Sequence, residues 1–351
     1  MLRLFETVQH DPFPGDRLDA LQSWRDRVRC RLIDLLGEFP DRVALDFETT
    51  SSVACDGYRL DRVVFDSEST MSVPAYLLVP DSRRSPGAAI LAIHGHGPGK
   101  DAICGVSREA NRGAPCGDLN DLHGLHSNYH RDEGQDYAVA LARRGFVVLA
   151  PDLRCFGERA DWEPEDRYLC DANLVHATMA GMNPMALNVW DLMRSLDVLS
   201  EHPLVDETRL GVVGFSYGAT LSLFLSALDA RATATVVSGF FSSWAESHKV
   251  PWNMCGSQVM FSMLNEIEHV DLGALICPRP LLIETGSRDL LFPLSAAEQS
   301  VAELKKVYSA SGALDRLAHE VFDGEHVWYG EPAYSFLERW LMAPTDELAI
   351  P

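Results

Sequence analysis

Residues 210–218, Leu-Gly-Val-Val-Gly-Phe-Ser-Tyr-Gly, lead from a short apolar run into the sequence ATLSLFLSAL. The apolar run predicts a buried strand and the following residues predict a helix, with the pattern G-x-S-x-G at their junction. A turn this sharp strains the serine backbone and brings neighbouring chain so close that only glycine fits at positions 214 and 218. We therefore predict that Ser216 presents its hydroxyl as a nucleophile at the head of a helix, rather than lying in an ordinary turn.

The same alternation of strand and helix extends in both directions from this turn. Near-continuous apolar runs recur at 88–95, 146–153, 232–240 and 279–287, separated by amphipathic segments. Buried strands that alternate with helices predict an α/β fold, with a mostly parallel twisted sheet and helices on both faces. Before them, 58–80 predicts a two-stranded meander. We expect a helical N-terminal extension at 1–57, the main domain at 58–343 with a small cap at about 241–272, and a C-terminal tail at 344–351.

A serine needs a base to take its proton and an acid to orient that base. In this kind of fold the acid and then the histidine follow the serine along the chain, each after a later strand. His326 follows the last predicted strand and is our candidate base, ahead of His248, His269 and His319. Asp289 follows the strand before it and is our candidate acid; the other acids considered are Glu284, Asp323 and Glu325.

The negative charge that develops on the substrate oxygen needs two backbone N–H donors. Tyr217, directly after the nucleophile, is expected to supply one. The second is expected from the loop that follows strand 88–93, either from His96 or from its rival Gly97.

Aromatic and Met-rich sequence beside the expected site offers apolar surface for a substrate. The candidate pocket residues are Trp244, Trp252, Met260, Phe261 and Trp328. The alternative, that such side chains pack a covering helix onto the core, is equally compatible with the pattern. Asp152 and Arg154 follow another strand, and we expect them to tie loops together through an ion pair.

No metal or cofactor is expected. His94 and His96 stand two residues apart in a loop, with no third ligand at a recognisable spacing. Asp121, His123, His126 and His130 fit no strong ligand motif and are interpreted as a solvated loop. The eight cysteines contain no C-x-x-C pair, and we expect them to be reduced, mostly buried thiols.

The charge of the chain limits the classes of partner that we expect. The net charge is −21, and the sequence shows no basic patch of the kind that binds nucleic acid. The same negative charge disfavours binding to an anionic membrane surface. The sequence shows neither the apolar region of a signal peptide nor a run of 18 apolar residues, which favours the cytoplasm. The expected partner is a small-molecule ester, and a homo-oligomer is left open.

Five stretches of the sequence together resemble the α/β-hydrolase superfamily. They are HGHGPGK (94–100), FVVLAPDLRCFGER (146–159), GFSYGA (214–219), ICPRPLLIETGSRDLLFP (276–293) and VFDGEH (321–326). The resemblance is to its dienelactone-hydrolase-like and acetyl-xylan-esterase-like branch, and it covers about residues 58–342. Position 216 is serine where dienelactone hydrolases have cysteine, which favours a serine esterase. The expected function is hydrolysis of a carboxylic ester, with a small or acetyl-type acyl group, through an acyl-enzyme. The alternatives are a peptidase or amidase of the prolyl-oligopeptidase type, a C–C hydrolase with the same triad, and a catalytically silent receptor or scaffold.

Overall fold

A nine-stranded sheet forms the centre of the protein. The computed structural model describes residues 18–106, 136–160, 169–249 and 253–342. The strands lie in the order β1-β2-β3-β5-β4-β6-β7-β8-β9. They are β1 Glu48–Cys55, β2 Tyr58–Glu68, β3 Met71–Pro80, β4 Gly87–Ile93, β5 Val147–Pro151, β6 Val205–Phe215, β7 Ala232–Ser238, β8 Leu281–Gly286 and β9 Leu317–Phe322.

The pairing changes direction along the sheet. From β1 to β5 the neighbours are antiparallel, and from β5 to β9 every neighbouring pair is parallel. The predicted mostly parallel α/β fold is therefore confirmed. The described helices are α1 Leu18–Leu36, α2 Lys100–Ile103, α3 Tyr137–Arg143, α4 Leu169–Met179, α5 Pro184–Glu201, α6 Tyr217–Leu228, α7 Trp244–Ser247, α8 Met263–Glu266, α9 His269–Ile276, α10 Leu294–Ala310 and α11 Glu331–Met342.

Each face of the sheet carries its own apolar core. On one face α1, α5, α6, α9 and α10 pack together. On the other face lie α2, α3 and α11. Alternate residues of the strands serve the two cores: Val147 and Leu149 belong to the first, and Val148 and Ala150 to the second. Because both faces are covered, the central strands are apolar on both sides, which explains their near-continuous apolar sequence.

The N-terminal region contains more than the predicted helix. In α1, residues spaced three or four apart are buried in the first core, including Trp24, Val28 and Leu32. The Arg25 guanidinium also donates to the carbonyl of Leu275 in α9 at 3.1 Å. The strand β1 was not predicted, because its sequence ETTSSVAC is polar and almost wholly exposed at the edge of the sheet.

Several sequence-based expectations concern residues outside the described ranges. These are residues 1–17 of the N-terminal extension, the 344–351 tail, Trp252 and the polar loop with Asp121, His123, His126 and His130. The described part of the predicted cap at 241–272 consists of short helices and one 3₁₀ turn at Gly256–Gln258.

Candidate active site

The turn from β6 into α6 has the geometry that its sequence predicts. Ser216 has a left-handed φ of 56°, and its N–H donates to the carbonyl of Ser238 at 2.9 Å. A Cβ on Gly214 would lie 2.2 Å from the carbonyl oxygen of Gly218, and one on Gly218 would lie 2.0 Å from that of Ile93. Neither site accepts a larger residue without displacing backbone. The strained serine is thus fixed by β4, β6 and β7 together.

The structure brings Ser216, His326 and Asp289 into one hydrogen-bonded chain. The Ser216 Oγ lies 3.0 Å from the His326 Nε2. The His326 Nδ1 lies 2.7 Å from the Asp289 Oδ2. With Asp289 ionised, Nδ1 carries the ring proton and Nε2 is left to accept the proton of the serine hydroxyl. The arrangement has the order of hydroxyl, imidazole and carboxylate that a serine nucleophile with a base and an orienting acid requires.

Backbone groups hold the carboxylate of Asp289 in place. Its second oxygen, Oδ1, accepts the N–H groups of Leu291 at 2.8 Å and Phe292 at 3.1 Å. These bonds fold the loop after β8 back on Asp289, so that the two carboxylate oxygens have different partners. One oxygen is bound by the loop and the other faces His326. Asp289 is almost fully buried, so water competes little for either oxygen.

The imidazole of His326 lies between aromatic rings. The Phe215 ring is 4.8 Å away and the Phe292 ring 5.6 Å away, centroid to centroid. At Gly239, a Cβ would lie 2.7 Å from the Phe215 ring and 3.2 Å from the His326 ring. Glycine at 239 therefore leaves the space in which both rings lie.

The other candidate histidines lie elsewhere. His269 is buried against Phe240 and Trp244, and burial lowers its pKa to about 3. His319 lies in β9, within hydrogen-bond distance of Thr285, and burial lowers its pKa to about 4. His248 Nδ1 lies 2.7 Å from the carbonyl of Trp244. Each of these rings is thus engaged in local packing or hydrogen bonding.

The other acidic residues considered as partners of His326 lie in less suitable places. Glu284 is fully buried within β8, and burial raises its pKa to about 7. A carboxyl held partly neutral at pH 7 is poorly suited to stabilise an imidazolium. Asp323 is exposed and forms an ion pair with Arg288, and Glu325 is exposed on the same loop.

The predicted oxyanion donors lie around the head of α6. Tyr217 is the first residue of that helix, where a backbone N–H has no acceptor within the helix. The loop after β4 passes directly beside the nucleophile, because a Cβ on Gly95 would lie 3.3 Å from that of Ser216. His96 and Gly97 follow in this loop. The ring of His96 packs on that of Tyr217 at 5.1 Å.

His94 is a structural residue in this loop. It is fully buried; its Nδ1 lies 2.7 Å from the carbonyl of Gly95, and its Nε2 accepts the N–H of Leu153 at 3.0 Å. Those bonds join the ends of β4 and β5 through a neutral ring. Burial lowers the pKa of His94 to about 4.

Acidification is therefore expected to weaken the fold through His94. Between about pH 6.5 and 4 the unfolded chain binds a proton on this ring that the folded protein does not. The stabilisation is complete above pH 6.5 and is lost as the pH falls towards 4. We expect the difference in unfolding free energy between wild type and His94→Asn to shrink by about 3 kcal/mol from pH 7 to pH 4 in urea titrations. A difference that stays constant with pH would contradict this assignment.

The structure places three of the described pocket candidates in the apolar cores and leaves the fourth exposed. Trp244 and Met260 are buried in the first core, where the Trp244 indole donates to the carbonyl of Ile267. Trp328 is buried in the second core against Tyr137. Phe261 is 95% exposed. The apolar composition of this segment thus reflects packing, which was the stated alternative for most of it.

The predicted ion pair between Asp152 and Arg154 is replaced by two other networks. Asp152 accepts the buried ammonium of Lys100 at 2.6 Å, and Lys100 also binds Glu158 at 2.7 Å. Arg154 binds Asp191 at 2.8 Å and Glu68 at 2.6 Å. Both residues therefore tie the loop after β5 to other elements, α2 for Asp152 and α5 and β2 for Arg154.

One cluster near the nucleophile was not predicted. His96, Cys170 and Cys255 place one nitrogen and two sulfur atoms within 4.8 Å of one another. The His96 Nε2 lies 3.2 Å from the Cys255 sulfur. The three residues come from distant parts of the chain, so their spacing in sequence gave no signal. The cysteines in the described residues are free thiols.

The fold agrees with the comparisons with known proteins. The model of the Abhydrolase family matches residues 15–308. The chain belongs to this family. Within the described ranges of this Abhydrolase protein, every helix is too short or too polar to cross a membrane.

Similar proteins are known at the level of sequence and of structure. The Bacillus subtilis (strain 168) protein named "Putative hydrolase YtaP" is 27% identical to this Abhydrolase family member over 327 residues, covering 90% of this chain and 100% of its own. The structure of a "putative acetyl xylan esterase" from Bacteroides fragilis has a TM-score of 0.75 at 17% identity, over 96% of this chain and 87% of that one. A glucuronoyl esterase from Solibacter usitatus has a TM-score of 0.67 at 14% identity, over 95% and 98%. These likenesses establish the fold.

Proposed function

We propose that this protein is a serine hydrolase that cleaves a carboxylic ester through an acyl-enzyme, with Ser216, His326 and Asp289 as its catalytic triad. The observation that carries the proposal is the hydrogen-bonded chain of 3.0 and 2.7 Å that joins these residues at a strained turn. The acyl group proposed is small, of the acetyl type. The relatives named esterases support ester chemistry over other hydrolyses.

In the acylation step, Ser216 Oγ attacks the ester carbonyl while His326 Nε2 takes the hydroxyl proton. Asp289 stabilises the imidazolium so formed without taking up the proton. The N–H of Tyr217, together with that of His96 or Gly97, binds the oxyanion of the tetrahedral intermediate. Collapse of this intermediate breaks the ester C–O bond, and His326 returns the proton to the leaving alcohol.

Deacylation repeats these steps with water. His326 is neutral again once the alcohol has left, so its Nε2 can take a proton from a water molecule that attacks the acyl-enzyme. The second tetrahedral intermediate uses the same oxyanion donors. It collapses to the carboxylic acid, and the proton on His326 restores the Ser216 hydroxyl. The residues named here supply each proton transfer.

A serine-directed fluorophosphonate tests the proposal against a silent scaffold of the same fold. We expect one adduct per chain, on the peptide that contains Ser216, and its formation should abolish hydrolysis of p-nitrophenyl acetate. Matched amide, ester and C–C substrates then separate the esterase from an amidase or a C–C hydrolase. Absence of labelling, or labelling at another serine with activity retained, would overturn the assignment.

Neutral esters are expected to be better substrates than esters that carry a free carboxylate. The net charge of −21 repels anions during encounter. Two arginines in the described part of the chain that could offset this charge are already paired: Arg154 binds Asp191 and Glu68, and Arg288 binds Asp323.

The measurement compares the kcat/KM values of two esters with the same acyl group, one neutral and one anionic. We expect a higher kcat/KM for the neutral ester, and a gain for the anionic ester as added salt screens the repulsion. If the anionic ester has the higher kcat/KM at low salt, and this value falls as salt is added, the result would instead indicate a pocket in which arginines bind the carboxylate.

A further inference from the structure

The cluster of His96, Cys170 and Cys255 joins three elements that are far apart in sequence. His96 belongs to the loop after β4, Cys170 to the first turn of α4, and Cys255 to the segment before the 3₁₀ turn at Gly256–Gln258. Their ligand atoms all lie within 4.8 Å of one another. Cys170 is buried, whereas His96 and Cys255 are half-buried, so the cluster can be reached from solvent.

The fold holds Cys255 against α4 by a specific close approach. A Cβ on Gly256 would lie 2.7 Å from the carbonyl oxygen of Cys170 and 2.7 Å from the Cβ of Leu174. The Gly256 N–H also donates to the Asp171 carboxylate at 2.7 Å. Glycine is therefore needed at 256 for the segment to reach the first turn of α4. This contact places the two sulfur atoms side by side.

From this geometry we propose that His96, Cys170 and Cys255 form a binding site for a divalent cation that prefers thiolate and imidazole ligands, with Zn²⁺ as the best fit. Two sulfurs and one imidazole nitrogen are ligands that zinc takes in proteins. With Zn–S near 2.3 Å and Zn–N near 2.0 Å, a tetrahedral ion holds its ligands roughly 3.5–3.8 Å apart. Closing the cluster around the ion therefore requires side-chain shifts of only about 1 Å.

One feature beside the cluster favours a thiolate once an ion is bound. Cys170 lies in the first turn of an 11-residue helix, where the helix dipole favours negative charge. Each cysteine releases its proton to solvent as its sulfur binds the ion, and no electron is transferred. The fourth position of the ion is filled by water.

Binding would link α4 and the Cys255 segment to the loop that carries the proposed oxyanion donors. The ring of His96 packs between Tyr217 and Phe156, with centroids at 5.1 and 5.5 Å. The triad provides its own base, so the ion is assigned to fixing these elements rather than to the ester chemistry. The expected readouts are therefore affinity, spectrum and thermal stability.

The test uses the full chain, freed of metal and kept reduced with a phosphine. Zn²⁺ is titrated in competition with a chromophoric chelator, and Co²⁺ is used as a spectroscopic probe. We expect one Zn²⁺ per chain with submicromolar affinity, a thiolate-to-cobalt charge-transfer band, and a rise in Tm of at least about 3 °C with zinc. Cys170→Ser and Cys255→Ser should each weaken zinc binding about 100-fold or more and remove the cobalt band.

Control variants separate the loss of zinc ligands from a loss of folding. Cys30→Ser, which removes an exposed cysteine of α1, should bind zinc like wild type. Far-ultraviolet circular dichroism and the metal-free Tm show whether each variant folds, and the half-buried Cys255 is the milder of the two ligand changes. The proposal is overturned if wild type binds no tighter than Cys255→Ser. It is also overturned if binding is lost on changing His123 and His126 but survives Cys170→Ser.

Discussion

Replacing Ser216 with alanine is expected to lower kcat for ester hydrolysis about 10³-fold or more, in a protein that stays folded. The change removes the nucleophile and leaves only the oxyanion donors and substrate binding to accelerate the reaction. The backbone bond from residue 216 to the carbonyl of Ser238 is retained, so the turn keeps its main support. The measurement is the initial rate on p-nitrophenyl acetate, with the Tm of each protein.

Ser335→Ala provides the matched control for this change. Ser335 is exposed on α11, and its hydroxyl donates only within its own helix turn, to the carbonyl of Pro332. We expect its rate and Tm to equal those of wild type within about twofold and 1 °C. If Ser216→Ala keeps a tenth of the wild-type rate, Ser216 is not the nucleophile.

Replacing Asp289 with asparagine is expected to lower kcat by about 10³- to 10⁴-fold. The cause differs from that of Ser216→Ala, because the nucleophile is kept and the proton on the His326 ring moves. The side-chain oxygen of the introduced asparagine can still accept the N–H groups of Leu291 and Phe292, so the loop is kept. Its amide nitrogen then faces His326 with N–H donors instead of an acceptor. The ring is forced to carry its proton on Nε2, where it can no longer accept the proton of Ser216.

Asp323→Asn isolates this effect from a general loss of negative charge. Asp323 is exposed on the loop that carries His326 and pairs with Arg288. Exposed pairs contribute little, so we expect activity within about twofold of wild type. Equal losses in the two variants would mean that charge near His326, not the tautomer of its ring, controls the rate.

The strand–turn–helix at 210–228 could be predicted because its constraints are local. The apolar strand, the two glycines and the following helix each follow from short-range sterics and burial. The places of Asp289 and His326 could be predicted because parallel strands bring their carboxyl ends to one edge of the sheet. In contrast, β1 is a polar edge strand whose pairing with β2 leaves no apolar pattern.

The aromatic pocket could not be settled from composition, since Trp244 and Met260 have the same sequence pattern whether they face a substrate or the core. Their burial depends on contacts with other segments of the folded chain, such as the bond from the Trp244 indole to the carbonyl of Ile267, which is a tertiary property. The predicted pairing of Asp152 with Arg154 failed for a similar reason, because both side chains bind partners on helices that are distant in sequence, Lys100 in α2 and Asp191 in α5. The cluster at His96 depends on three segments meeting, and only the folded chain shows that.

The way the loop after β8 binds Asp289 also bears on how this protein can diversify. The Asp289 carboxylate is held by main-chain N–H groups, which every residue except proline possesses. Leu290, the residue beside the acid, is 65% exposed and takes no part in those bonds. Its identity can therefore drift, through natural variation or in a designed library, while the acid keeps its position. Selection can act on the surface beside Asp289 separately from the hydrogen bonds that hold the proposed triad together.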